Sequence, residues 1–216
     1  MEDTFHVFRL KIKNYFMKKL LVIPLIVLSS GLFAQKFQFG LKGGVNVSNF
    51  TNTSFNNVDN KAIVGLHGGA LLSLLLGDHF AIQPEALIST QGAKLASDQG
   101  FDDGNYKLTY LTIPVMLKGR FNGGFYLEAG PQFGFKLSES IPGANTTENF
   151  AKNADFGVGA GLGFHGKSGL GIGGRYVLGL SKVGDFDKSE FADPNFKNGV
   201  IQVSLFYTFL NNRDNP

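Results

Sequence analysis

Phe125-Tyr126-Leu127-Glu128-Ala129-Gly130-Pro131-Gln132-Phe133-Gly134-Phe135-Lys136-Leu137 alternates without a break, with every odd position apolar and the even ones carrying Tyr, Glu, Gly, Gln and Lys. A period of two is the mark of a strand with one apolar face. The same alternation returns in Phe37–Val47, Val64–Leu74, Phe80–Ile88, Leu111–Leu117, Phe156–Phe164, Leu170–Leu180 and Ile201–Phe209. No segment after Lys36 has a helical period, so the chain reads as eight strands.

The connections alternate in length. Short turns stand at Gly77-Asp78-His79, Asn122-Gly123-Gly124 and Lys167-Ser168-Gly169, and long polar stretches occupy 49–61, 91–105, 138–153 and 182–198. An even-numbered up-and-down barrel has short turns at one rim and long loops at the other. The apolar face carries no Asp, Glu, Lys or Arg, whereas the opposite face is Gly, Ser, Gln and Asn with isolated charges. A soluble barrel would coat that second face with Lys and Glu to meet water; here it suits a crowded lumen, and the apolar face suits lipid. The expected fold class is all-β: an eight-stranded antiparallel up-and-down transmembrane β-barrel with short periplasmic turns and long extracellular loops.

Composition agrees with this reading. Of 216 residues only 17% are charged, 29 are Gly and none is Cys, which removes disulfide scaffolds and Cys-based chemistry. Residues 1–35 hold the entire net charge of +3, through Arg9, Lys11, Lys13, Lys18 and Lys19 against Glu2 and Asp3. The remainder is neutral and offers no basic footprint for nucleic acid. Met17-Lys18-Lys19, the apolar run Leu20–Leu28 and the stretch ending at Ala34-Gln35 read as the n-region, h-region and cleavage site of a secretory signal. The division expected is 1–16 as an upstream mis-start, 17–34 as signal peptide and 35–216 as the barrel domain.

Gly40-Leu41-Lys42-Gly43-Gly44-Val45-Asn46-Val47-Ser48, Gln83-Pro84-Glu85-Ala86-Leu87-Ile88, Tyr110-Leu111-Thr112-Ile113-Pro114-Val115-Met116-Leu117-Lys118, Ala129-Gly130-Pro131, Arg175-Tyr176 and Phe206-Tyr207-Thr208-Phe209 follow one another in order. This series resembles the Bacteroidota "porin family", or PorT-type, outer-membrane β-barrel proteins over nearly all of 36–210. The resemblance implies an integral outer-membrane barrel and carries over no catalytic or ligand-binding residue. Phe209 is similar to the strand-final aromatic read by the barrel-assembly machinery during insertion. The partners expected are outer-membrane lipid and lipopolysaccharide, with a monomeric barrel and no cofactor.

Other motifs have plainer readings. Gly161-Leu162-Gly163-Phe164-His165-Gly166 fits G-x-G-x-x-G, but a strand follows where a dinucleotide site needs a helix, so the glycines read as lumen positions that make room for side chains from across the barrel. Asp102-Asp103 and Asp185–Glu190 read as solvated loop carboxylates instead of a metal site, and Asn145-Thr146-Thr147 matches a glycosylation sequon of little weight. Barrel enzymes need a His with a carboxylate or Ser at one rim, yet none of His67, His79 and His165 lies in a long loop, and His67 points inward as a packed lumen residue. No catalytic or metal site is expected.

The informative set is internal. Lys42, Glu85, Lys118, Glu128 and Arg175 share inward parity, and because buried charges need partners they are expected to pair and block the lower lumen. The three-residue turn at Asn122–Gly124 sets Phe121 against Phe125, hence Lys118 against Glu128, with Glu85 as third member and Arg175 and Lys42 approaching from elsewhere. The function expected is a structural or interaction role in the outer membrane. The alternatives are a narrow diffusion pore and an accessory component of secretion or surface assembly.

Overall fold

The computed structural model describes residues 37–51, 58–97, 104–140, 151–183 and 196–209. They form strands β1 (Phe37–Thr51), β2 (Val58–Leu76), β3 (Phe80–Ser97), β4 (Gly104–Arg120), β5 (Phe125–Ser140), β6 (Ala154–His165), β7 (Leu170–Gly179) and β8 (Lys197–Thr208). Each strand is antiparallel to the next, and β8 pairs with β1 to close the barrel. Closure leaves no unpaired edge, which is what permits strands to cross lipid.

Alternation sets the two faces. On β8 Ile201, Val203, Leu205 and Tyr207 are exposed on the outside, and Gln202, Ser204, Phe206 and Thr208 are buried inside. Aromatics mark the short-turn end of the outer face (Phe37, Phe80, Phe121, Phe125, Phe164), and Phe133, Phe135 and Phe156 stand further up the wall. Aromatic girdles flanking an apolar band of about 25 Å are the pattern of an outer-membrane barrel. The turn at Asn122–Gly124 is a single 3-10 turn in which Gly123 takes φ 82° and Gly124 φ 101°, a conformation that other residues adopt only with strain. As its length requires, the Phe121 and Phe125 rings lie 5.8 Å apart.

The strands run further than hydropathy predicts. Gln91–Ser97 of β3 and Gly104–Tyr110 of β4 remain in the ladder, and β5 continues to Ser140, so most of the stretch read as loop 91–105 and the first three residues of 138–153 are strand. There the outward face is polar, with Lys94 and Lys107 exposed, while Ala93, Tyr106, Leu108 and Tyr110 are buried inward, so the apolar-outward pattern of the wall is lost. Register shifts between Ala62 and His67 and between Thr109 and Tyr110 mark where the ladder bends into this extension. The signal segment, Asp102-Asp103, Asp185–Glu190, the sequon at Asn145 and the tail after Phe209 lie outside the described residues.

The mouth at the long-loop end is filled. Phe50, Tyr106, Leu108 and Tyr110 point inward from β1 and β4 and bury one cluster with Ala93, Ala151, Val183 and Phe196. The bases of two long connections are held there, since Val183 N donates to Phe196 O (3.0 Å) and Lys152 N to Val183 O (2.8 Å).

Candidate functional site

All five inward charges come together in the lumen. Glu85 is the hub: Lys42 Nζ donates to Oε1 (2.8 Å), Arg175 Nη1 to Oε2 (3.0 Å), Arg175 Nη2 to Oε1 (2.9 Å) and Gln83 Nε2 to Oε1 (2.7 Å). Arg175 Nε also donates to Glu128 Oε1 (2.7 Å), and Lys118 Nζ lies 3.5 Å from Glu128 Oε2. Every one of these residues is at most 7% exposed. Charges so deep are tolerated only when paired and hydrogen-bonded, and the doubly engaged guanidinium between two carboxylates supplies that geometry.

Glycines make the pairs possible. Lys42 on β1 is level with Gly69 on β2, and Arg175 on β7 is level with Gly161 on β6, itself level with Glu128 on β5. With no side chain on the strand between, Lys42 reaches over β2 to Glu85 of β3 and Arg175 over β6 to Glu128 of β5. Gly161 of the G-x-G-x-x-G run is therefore a lumen clearance, as its strand context implies. The cross-strand pair Lys118–Glu128 stands in register, but Glu85 does not bond Lys118; it is taken by Lys42 and Arg175. Parity along a strand says which side chains face inward, whereas their heights across the closed barrel come from strand register.

Above this network lies a neutral chain. Asn46 Nδ2 donates to Ser89 Oγ (2.9 Å) and Thr90 O (3.0 Å), which turns Oδ1 toward His67 Nδ1 at 2.7 Å. His67 Nδ1 therefore carries the proton, and Nε2 accepts from Ser204 Oγ at 2.8 Å. The order Ser–His–Asn copies a hydrolase relay, but it is buried between the charge network and the apolar mouth, leaving a substrate no approach. His79 stands exposed in a turn, and His165 Nε2 contacts Thr208 Oγ1 at 3.1 Å. No group of three or more His, Cys, Asp or Glu that could hold a metal occurs among the described residues.

Below the network Lys118 Nζ sits 3.9 Å from the Tyr126 ring centroid and 5.0 Å from that of Phe206. It borders a cavity of about 10 Å³ at the short-turn rim, lined also by Gln38, Gln83, Arg120, Tyr126 and His165. Sequence reading missed the apolar mouth. Its signal was present, since Tyr106, Leu108 and Tyr110 hold the inward parity of β4 at positions where the other strands turn polar.

No curated protein is significantly similar to the chain. Neisserial surface protein A of Neisseria shares the fold at TM-score 0.51 and 11% identity, over 79% of this chain and 97% of that one. The outer membrane protein OprG from Pseudomonas aeruginosa does so at TM-score 0.51 and 12% identity, over 81% and 97%. The sequence pattern of the outer membrane protein β-barrel domain matches residues 33–185. With a closed eight-stranded barrel, an apolar outer face and that match over most of its length, the chain is an integral protein of the outer membrane and belongs to the outer membrane protein β-barrel domain family.

Proposed function

We propose that this protein is a sealed, monomeric outer-membrane barrel with a structural or interaction role, exerted at its rims and outer wall and without catalysis or conduction. The observation that carries the reading is the filled lumen: a charge network, a hydrogen-bonded polar layer and an apolar cluster follow one another from the short-turn end to the long-loop mouth. A pore needs a continuous polar path, and side chains tied to one another do not supply one.

The ordered motifs from Gly40 to Phe209 support a PorT-type, Bacteroidota origin and, with it, an accessory place in secretion or surface assembly. The n-region, h-region and small-residue site over 17–34 support export as a cleaved precursor. Phe209 ends the barrel facing outward, its N–H bonded to Phe39 O (2.8 Å) and its ring 6.0 Å from that of Phe39, a presentation suited to recognition by the barrel-assembly machinery. Outer-membrane lipid and lipopolysaccharide are the surroundings such a wall requires.

Photo-cross-linking in the native outer membrane tests the reading. Photoreactive residues placed in the long connections or short turns are expected to capture a discrete protein partner, while the same group in place of Val203 on the lipid face captures none. Absence of any protein adduct from either rim would leave no interaction role.

A further inference from the structure

The outward face of the β3–β4 hairpin changes character in register. Ile88 stands opposite Leu111, Thr90 opposite Thr109, Gly92 opposite Lys107 and Lys94 opposite Asn105. Toward the long-loop end an apolar pair is thus followed by paired hydroxyls and then by two ammonium groups. Lys94 and Lys107 are exposed and pair with no carboxylate among the described residues. Diagonal neighbours of this kind have Cβ atoms about 7–8 Å apart, so two long side chains can close on one anion. The bulge between Ala62 and His67 brings a third lysine to the same side, because Lys61 of β2 stands directly opposite Lys94. Lys61 is engaged in an interaction of its own, yet its charge adds to the positive potential there. Like charges opposed in a ladder destabilise it, and an anion between them reverses the sign.

The height of the patch says which anion. It lies on the outer wall directly beyond the last apolar pair of this hairpin, where a barrel leaves hydrocarbon and meets the headgroups of the surrounding lipid. A lysine there lays its apolar stem along the wall and offers its ammonium as a point charge suited to phosphate. We propose that Lys94 and Lys107, with the hydroxyls of Thr90 and Thr109 beneath them, bind a phosphate of a lipopolysaccharide headgroup in the outer leaflet. The site rests on the reading of lipopolysaccharide as the barrel's surroundings and gives that lipid a fixed place, on β3 and β4.

Native mass spectrometry of the processed barrel in detergent micelles, titrated with lipopolysaccharide or with the same lipopolysaccharide stripped of its phosphates, reads bound glycolipid directly. A saturable adduct is expected with the phosphorylated form and a much weaker one with the stripped form. Replacing both lysines, Lys94→Gln with Lys107→Gln, is expected to weaken the first by about tenfold or more, whereas Lys94→Arg with Lys107→Arg retains it. The comparison of the two glycolipids uses the unaltered protein and decides even if a variant fails to fold. No adduct with either glycolipid would remove the underlying reading together with the site. Equal adducts from both forms, or undiminished affinity in the double Gln variant, would overturn the site alone; the second is the result if Asp98, Asp102 and Asp103 of the connecting sequence already neutralise the lysines.

Discussion

Replacing Glu85 by Gln removes one charge and almost no volume, which makes it a clean perturbation of the network. The carboxylate accepts from Lys42 at 2.8 Å, Gln83 at 2.7 Å and the two terminal nitrogens of Arg175 at 3.0 and 2.9 Å. After the change three buried cations face one carboxylate, and an amide NH2 is pressed against donors. Breaking a buried pair by removing one partner costs about 3–5 kcal/mol. Adding Lys42→Met leaves two cations against one carboxylate, the native excess of one, so the double variant is expected to recover at least about 1 kcal/mol relative to the sum of the single variants. Urea unfolding in detergent micelles followed by far-UV circular dichroism measures this as a shift in midpoint at constant slope. Strict additivity, or a cost for Glu85→Gln below about 0.5 kcal/mol, which is within the range of ordinary surface changes, would refute the pairing.

Val203, half exposed on the lipid face of β8, is expected to tolerate Ile and to lose about 2–4 kcal/mol as Val203→Arg in refolding from urea into lipid vesicles. Gly161→Val puts a Cβ 2.5 Å from Gly174 O and 3.2 Å from the Arg175 Cβ, in the gap that Arg175 crosses to reach Glu128, and an overpacking cost of about 1–3 kcal/mol is expected in the same unfolding assay. Protein isolated from the outer membrane is expected to begin near Gln35, and intact-mass analysis finding Met1 or Met17 retained would contradict the signal reading.

The barrel was legible because a lipid-facing wall enforces strict alternation, seen most plainly over Phe125–Leu137, and because turn length fixes hairpin register. That is why the Lys118–Glu128 opposition could be named from the Asn122–Gly124 turn alone. What escaped lies where those constraints lapse. Glu85 chooses Lys42 and Arg175 through relations across the closed barrel, and no count along one strand contains the β8–β1 register that closes it. The extensions Gln91–Ser97 and Gly104–Tyr110 look like loops because their outward positions, such as Lys94, Lys107 and Thr109, are polar, so the apolar-outward alternation of the wall stops there. The apolar mouth was overlooked because its side chains are spread over separate segments, Phe50 on β1, Tyr106, Leu108 and Tyr110 on β4 and Phe196 just before β8, and meet only in the closed barrel.

The sealed lumen is tested most directly by planar-bilayer recording of the purified, refolded barrel. The account predicts no discrete conductance steps across the accessible voltage range. Reproducible steps from the unaltered protein, lost on boiling and proportional to salt concentration, would mean that the charge network lines a water path and the protein is a pore.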